Sequence, residues 1–337
     1  MFHQSGEPED VLRIAEVPSP VLAGDGVVVE VTCSPIQPAD LAFIRGQYRI
    51  RPEFPQVAGL EGSGTVVSTA VERGFGVGTR VAFRCPGAWA ERVLVPLSRL
   101  AEVPPGVPDL IACQFSLNPI TAWALLAVAG CESGDWILLT AAASTVSNLV
   151  GAIARHRRVG VIGLVRGDAA AAQSRSAADH VFSTQDPDLL ERVATATAGR
   201  MATALIDSVG GPTLPGLFGC LSQGGRIVAY GVQDREPAHV TNAMLIYSNL
   251  TWIGFGIDHW LSKSTPVEVS RIRNELWALI QSGVLSLPAA AVYDLDSIPE
   301  ALVANSQGGR EGKVILRPTG DRAGLPLSYI SAVMGFM

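Results

Sequence analysis

The stretch from Trp136 to Arg166 constrains the fold more than any other part of the chain. Trp136-Ile137-Leu138-Leu139-Thr140 is an apolar run of β-formers, short enough to be one buried strand. Small residues follow, Ala141-Ala142-Ala143-Ser144-Thr145-Val146-Ser147, and then an apolar-periodic helix through Leu149, Val150 and Ile153. A second apolar run, Val159 to Val165, ends at Arg166-Gly167-Asp168. Strand, tight small-residue turn, helix, strand predicts the first βαβ unit of a dinucleotide-binding fold. Small residues are needed there so that a cofactor pyrophosphate can approach the turn and sit on the helix N-terminus, where amides and dipole favour negative charge. Ser144, Thr145 and Val146 are therefore candidate cofactor neighbours.

The usual glycine fingerprint is absent. Thr145 and Ser147 stand where two glycines are expected, and the same turn would also suit an α/β fold that binds nothing. Arg166 favours the binding reading. It ends the second strand, about 20 residues past the turn, where a carboxylate selects NAD and an arginine accommodates the 2′-phosphate of NADP. Asp168, two residues on, carries the opposite preference. Together they are read as an NADPH site.

At 337 residues the chain exceeds a usual single core, so two domains are expected. Hydrophobic residues at 48% and charged residues at 17% describe a globular chain and not a disordered one. A net charge of -6 leaves no electrostatic footprint for nucleic acid, and the basic cluster Arg155-His156-Arg157-Arg158 reads as the solvated end of a helix. No apolar run reaches the ~20 residues that span a bilayer. With no charged-then-apolar leader, the expected compartment is the cytoplasm. The five cysteines are scattered without CxxC spacing, which fits neither a disulfide framework nor a structural zinc site.

Before the cofactor unit, Val11 to Val31 reads as paired strands with a break at Pro18 and Pro20, and the prolines of Ser34-Pro35-Ile36-Gln37-Pro38-Ala39-Asp40 are expected to end the pairing. A short helix ends at Arg45-Gly46-Gln47-Tyr48. Pro55 to Val67, Gly74 to Val81 and Gly87 to Pro96 add turns and strands, giving a barrel-like, largely antiparallel N-terminal domain. Helices over Asp109 to Phe115 and Ala122 to Ala129 flank Ser116 to Thr121. Past Arg166, strands near His180, Ala204, Gly225 and Leu250 extend a parallel sheet. Ligands bind beyond the carboxyl ends of such strands, which places Gly210, Gly231, Phe255 and Gly256 beside a nicotinamide, although those glycines also suit empty tight turns. Asp207 is read as a structural strand-end residue, and Pro266 begins a helix to about Ser282.

In their order and spacing these motifs resemble the zinc-independent medium-chain dehydrogenases/reductases, over about Phe2 to Pro318. The segments that carry the resemblance are Pro35-Ile36-Gln37-Pro38-Ala39-Asp40, Arg45-Gly46-Gln47-Tyr48, Asn118-Pro119-Ile120-Thr121-Ala122-Trp123, Ala178-Asp179-His180-Val181, Asp207-Ser208-Val209-Gly210-Gly211, Gly224-Gly225-Arg226-Ile227-Val228 and Gly312-Lys313-Val314-Ile315-Leu316. Within that superfamily the chain is most similar to the 2-enoyl-thioester reductases and next to the quinone oxidoreductases. The resemblance implies an α/β fold: a GroES-like β-barrel-type catalytic domain, residues 1–118 and 262–337, and a Rossmann doubly wound parallel-sheet NADPH domain, residues 119–261. It also implies a homodimer formed by edge pairing of the cofactor-domain sheets.

In the zinc alcohol dehydrogenases similar segments supply a cysteine and a histidine. Here those positions are Gln37 and Leu60; Leu60 has no donor atom, and Glu61 alone does not make a site that takes three protein ligands. No metal is expected. Side chains must then polarise a carbonyl and supply a proton. In the matching Gly-x-Tyr segment of the enoyl-thioester reductases, the tyrosine hydrogen-bonds the thioester carbonyl or delivers the proton, which implies Tyr48 as the catalytic residue. On its own chemistry Tyr48 equally suits a loop–core boundary. Gln37 keeps the amide of the family's asparagine with one more methylene, and Gln37, Phe255 and Trp260 are the implied substrate-pocket residues. Asn118 and Thr121 lie beside the cofactor by the same resemblance, and both residue types also cap helices. Lys313 either reaches the cofactor or is a solvated turn lysine.

The resulting expectation is NADPH-dependent reduction of the carbon–carbon double bond of a 2-enoyl thioester, on CoA or an acyl carrier protein, as in fatty acid or polyketide metabolism. Hydride goes to the β-carbon and a proton to the α-carbon. A quinone or enone oxidoreductase of the same fold is the alternative. A non-catalytic NADPH-binding sensor, suggested by Thr145 and Ser147, is the alternative of another class. The apolar tail from Asp321 to Met337 lies beyond the resemblance.

Overall fold

A computed structural model describes residues 1–69 and 74–318; the tail from Asp321 lies outside them. The described residues divide into two compact units, residues 1–117 with 287–318, and residues 118–286.

In the first unit β1 (Gly26–Pro35) pairs antiparallel with both β2 (Glu61–Thr69) and the short β4 (Arg92–Pro96). Between them in sequence, β3 (Arg80–Arg84) pairs with β2 and with β5 (Leu100–Glu102). Val27, Val29 and Val31 alternate inward with Val66, Val81, Phe83 and Val95 to make its core. The strand expected before Pro18 does not form. Ile14, Val17 and Val21 are 52%, 40% and 82% exposed, and a run with no face to bury has nothing to hold it in a sheet. After β1, the helix Pro38–Ile44 is closed by a capping box in which Gln37 is the N-cap and Asp40 reaches back to it. Phe43 and Ile44 pack with Phe2, Ile36 and Leu60, and Tyr48 lies at the edge of that cluster.

The second unit opens with the helix Asn118–Ala129, which starts four residues earlier than expected. It continues through β6 (Trp136–Thr140), the helix Thr145–His156, β7 (Gly160–Val165), β8 (His180–Ser183), β9 (Ala202–Asp207), β10 (Leu221–Ala229) and β11 (Thr251–Gly254). All six strands are parallel, in the order β11-β10-β9-β6-β7-β8. Ile137, Leu138, Val161, Ile162, Leu205 and Ile227 are fully buried, the continuous hydrophobic signature of strands covered on both faces. Burial of each such side chain is worth roughly 1.5–3 kcal/mol.

The helix Pro266–Gln281, with its own Thr265/Glu268 capping box, also belongs to this second unit. Its Glu275 accepts from Trp123 Nε1 at 3.1 Å and from Arg157 Nη2 at 2.9 Å. Arg157 and Arg271 lie over the Trp123 ring, 5.0 and 5.6 Å from its centroid. These contacts move the second boundary from the expected 261/262 to 286/287. Beyond it, β12 (Ala289–Asp294) runs parallel to β13 (Lys313–Arg317), and β13 pairs antiparallel with the end of β1, Ser34 opposite Leu316 and Pro35 opposite Ile315. The prolines there do not stop the sheet, because Ile36 N donates to Val314 O at 2.8 Å and carries the ladder past Pro35.

Candidate active site

Strand order in the second unit reverses between β6 and β9, and a parallel sheet binds ligands at that switch point. A cavity of about 230 Å³ opens there, walled by the carboxyl ends of β6, β7 and β9. Asp207, 1% exposed, organises its floor. Its Oδ1 accepts from Thr140 Oγ1 at 2.7 Å and from Val209 N at 3.1 Å, and its Oδ2 accepts from Gly210 N at 2.9 Å. Gly210 holds φ +75°, a conformation that favours glycine. The structural role read for Asp207 is present, and the residue also walls the cavity.

The turn after β6 works without the expected glycines. Ser144 caps the helix Thr145–His156 by accepting from Ser147 N at 3.3 Å. Ser147 is buried, and its hydroxyl turns back to donate to Thr140 O at 3.0 Å. That side chain ties the helix to the strand end instead of projecting into the cavity, whose walls include Ser144 and not Ser147. Behind them Tyr230 sits with Ser144, Ser147 and Ser208 around its hydroxyl; burial pushes its phenol up, and those hydroxyls pull it down.

Arg166 and Asp168 have separate tasks. Arg166 is exposed, walls the cavity, and makes no hydrogen bond or ion pair among the described residues. Asp168 caps the short helix Ala169–Gln173, its Oδ1 accepting from Ala171 N at 3.1 Å. The carboxylate that would compete for a ribose is thus committed to a helix.

The remaining expected residues of this unit do not wall the cavity. Thr145 and Val146 form the first turn of the capped helix, and Asn118 and Thr121 are buried in the first turn of theirs. At Gly231 a Cβ would stand 2.4 Å from Ser208 O, so close backbone approach requires the glycine. Phe255 follows β11, its N donating to Ala229 O at 2.8 Å. Gly256 is the N-cap of the helix Ile257–Lys263, where Trp260 packs on Trp123 with ring centroids 6.0 Å apart. Thr184, Thr213, Gln233 and Asp234 wall the cavity as well and carry no motif that marks them in the sequence.

The first unit buries a second polar group around Gln37, Asp40, Glu61 and Arg84, all at most 5% exposed. Asp40 accepts from Gln37 N at 2.7 Å and Leu60 N at 2.8 Å. Glu61 accepts from Leu117 N at 2.9 Å and from Gln37 Nε2 at 3.2 Å. Arg84 stands opposite Glu61 in the β2–β3 register, and its Nη2 donates to the Tyr48 hydroxyl at 3.1 Å. Burial raises the Asp40 carboxyl to about 7. It raises Glu61 to about 8, with the Asp40 charge adding to the effect. Lys313, half-buried at the start of β13, is lowered to about 8 by burial and pulled back up by Glu61 and Asp40. It belongs to this cluster and is not a solvated turn residue.

The alcohol dehydrogenase GroES-like domain matches residues 23–105, and the zinc-binding dehydrogenase family matches residues 145–270. The chain is 28% identical to a mitochondrial enoyl-[acyl-carrier-protein] reductase of Arabidopsis thaliana over 327 residues, 94% of this chain and 87% of the relative. A mycobacterial quinone oxidoreductase superposes with a TM-score of 0.82 at 27% identity, covering 94% and 98% of the two chains. The Escherichia coli quinone oxidoreductase complexed with NADPH does so with a TM-score of 0.81 at 25% identity, over 94% and 98%. The chain belongs to the medium-chain dehydrogenase/reductase superfamily of oxidoreductases.

The zinc of the second family's description has no fitting donor set in this medium-chain reductase. Leu60 is buried hydrocarbon, the Gln37 amide is engaged by Glu61, and among the described residues no three His, Cys, Asp or Glu come together. Nor is any helix among them long and apolar enough to cross a membrane. What the first unit offers instead is a phenol whose oxygen accepts from a guanidinium while its own O–H remains able to donate.

Proposed function

We propose that this medium-chain reductase uses NADPH to reduce the carbon–carbon double bond of a 2-enoyl thioester, on CoA or an acyl carrier protein. The observation that carries the reading is the Tyr48 hydroxyl, held by Arg84 at 3.1 Å. Its O–H can meet a thioester oxygen as negative charge gathers there, and can deliver the proton that the α-carbon needs. Gln37, Phe255 and Trp260 are the further residues proposed to meet substrate. The 28%-identical enoyl-[acyl-carrier-protein] reductase supports the substrate class.

The cavity residues fit an NADP-type cofactor. Arg166 would take the 2′-phosphate, since its guanidinium has no partner among the described residues and Asp168 is committed elsewhere. Ser144, Thr145 and Val146 would hold the pyrophosphate at the N-terminus of the helix Thr145–His156. Asn118, Thr121, Gly210, Gly231, Phe255, Gly256 and Lys313 are the further proposed neighbours. When bound, NADPH would supply hydride for the β-carbon.

Quinone or enone reduction is the second reading, favoured by the two quinone oxidoreductases of the same fold. A homodimer through β11 is part of the proposal. That strand forms one edge of its sheet, Trp252 on it is 40% exposed, and Tyr247, five residues before it in the chain, is 79% exposed. Cytoplasmic placement is proposed too, supported by five cysteines that are all unpaired; fractionation of a tagged chain into an organelle would overturn it.

The test follows oxidation of NADPH and of NADH with crotonyl-CoA, a longer trans-2-enoyl-CoA and a simple quinone, for wild type and Tyr48→Phe. Enoyl-dependent oxidation of NADPH that falls about 10²-fold or more in the variant is expected. Turnover of the quinone alone, unaffected by the variant, would replace this reading with the second. NADPH binding with no turnover would point to a sensor.

A further inference from the structure

A guanidinium 5% exposed at the end of a strand is rare without a partner that needs it. Arg84 has Glu61 opposite it in the β2–β3 register and the Tyr48 hydroxyl 3.1 Å from its Nη2. The two contacts differ in kind. Glu61 already accepts from Leu117 N and Gln37 Nε2, whereas no other bond to the Tyr48 hydroxyl is made among the described residues. A guanidinium only donates. A phenol O–H prefers its ring plane, so a donor on one side of the oxygen turns the O–H to the other.

We propose that Arg84 is a positioning residue for Tyr48: it fixes the direction of the phenol proton and places a positive charge against the oxygen that loses it. The proposal rests on the reading of Tyr48 as the proton donor. Hydride adds to the β-carbon, and the electron pair of the double bond moves onto the thioester oxygen as an enolate. The enolate then takes the Tyr48 proton at its α-carbon. The phenolate left behind faces the Arg84 N–H in a part-buried setting, where the guanidinium nitrogen 3.1 Å away donates to the oxygen and sets a positive charge against it. A proton from water restores the phenol. Arg84 touches neither the α- nor the β-carbon in this scheme. Its effect passes entirely through the tyrosine.

A double-mutant cycle on the full-length enzyme tests this, with Arg84→Gln, Tyr48→Phe, both together, and Arg84→Lys, assayed with NADPH and crotonyl-CoA. Butanoyl-CoA binding by calorimetry gives a readout independent of turnover, and circular dichroism confirms that each variant is folded. Arg84→Gln should lower kcat by about 10²-fold while product affinity changes less than about twofold. Arg84→Lys, which keeps the charge, should recover about tenfold of that loss. In the Tyr48→Phe background Arg84→Gln should cost at most about threefold, because there is no phenol left to position. Losses that multiply in the double variant, or a fall in product affinity as large as the fall in turnover, would overturn the proposal while leaving Tyr48 as donor. Unchanged turnover in Tyr48→Phe would overturn both, as would a wild type that reduces no enoyl thioester. Should Arg84→Gln fail to fold, Arg84→Lys and its combination with Tyr48→Phe carry the same test.

Discussion

Replacing Glu61 by glutamine should flatten the dependence of stability on pH. Glu61 is 1% exposed, and its carboxyl is raised from 4.5 to about 8, first by burial and then by the charge of Asp40. The Leu117 N–H, the Gln37 amide and Arg84 oppose the rise without cancelling it. In the unfolded chain the group titrates near its ordinary value. Between about pH 4.5 and 8 the folded protein therefore holds a proton that the unfolded chain has lost, and stability falls as pH rises through that window. Below it both states are protonated and the penalty is absent; above it both are ionised and the penalty is complete. At about 1.4 kcal/mol for each unit of separation, the swing amounts to a few kcal/mol. Glutamine keeps an acceptor for Leu117 N and cannot ionise. Asp40, raised from 3.8 to about 7 by burial, works in the same direction in both proteins and leaves the difference between them to Glu61. Urea unfolding of both proteins at about pH 5, 6, 7 and 8 measures the effect. Stability of the wild type minus that of Glu61→Gln should decrease steadily with pH, and a difference that is flat or rising would refute the reasoning.

Arg166→Ala should reduce the NADPH-over-NADH ratio of kcat/KM by about 10- to 100-fold, through the KM for NADPH and less so in high salt, because the residue is exposed; an unchanged ratio would remove Arg166 from the 2′-phosphate. Asp207→Ala strands the Thr140 hydroxyl and the amides of Val209 and Gly210, so urea unfolding should show a loss of about 2–4 kcal/mol, and a loss below about 1 kcal/mol would contradict the organising role. Light scattering should give a dimer for the wild type and a monomer for Trp252→Arg, since a charge on an exposed edge strand opposes pairing; a monomeric wild type would refute the proposed interface.

Local signals in the sequence were enough for the second unit because its determinants are local. The central strands β6, β7 and β9 are near-continuous apolar runs, and the turn from Ala141 to Ser147 lies between the first two of them. Even there, which of Arg166 and Asp168 meets a ligand depends on whether three residues after Asp168 begin a helix, and that choice decides the site. The first unit was less legible. The segment after Val11 has strand-forming residues and no buried face, and Pro35 looks like a terminator until Ile36 finds Val314. The buried polar cluster was the least visible part. Arg84 ends the pentapeptide Arg80-Val81-Ala82-Phe83-Arg84 with no motif to mark it, while Tyr48 is 36 residues away in the chain. Only the β2–β3 register, which sets Arg84 opposite Glu61, brings the carboxylates, the guanidinium and the phenol together. The helix Pro266–Gln281 was found with its ends correct to a residue, yet its unit could not be assigned, because membership rests on Glu275 meeting Trp123 and Arg157 at long range.

The most direct test of the proposed reaction is where the two new hydrogens land. Crotonyl-CoA should be reduced once with NADPH carrying deuterium at the transferable position, and once with ordinary NADPH in deuterium oxide, with the product read by mass spectrometry and NMR. Hydride transfer to the β-carbon with protonation of the enolate predicts butanoyl-CoA labelled at C3 in the first case and at C2 in the second. NADPH that binds and is consumed only when a quinone is present, leaving crotonyl-CoA unlabelled in both experiments, would contradict it.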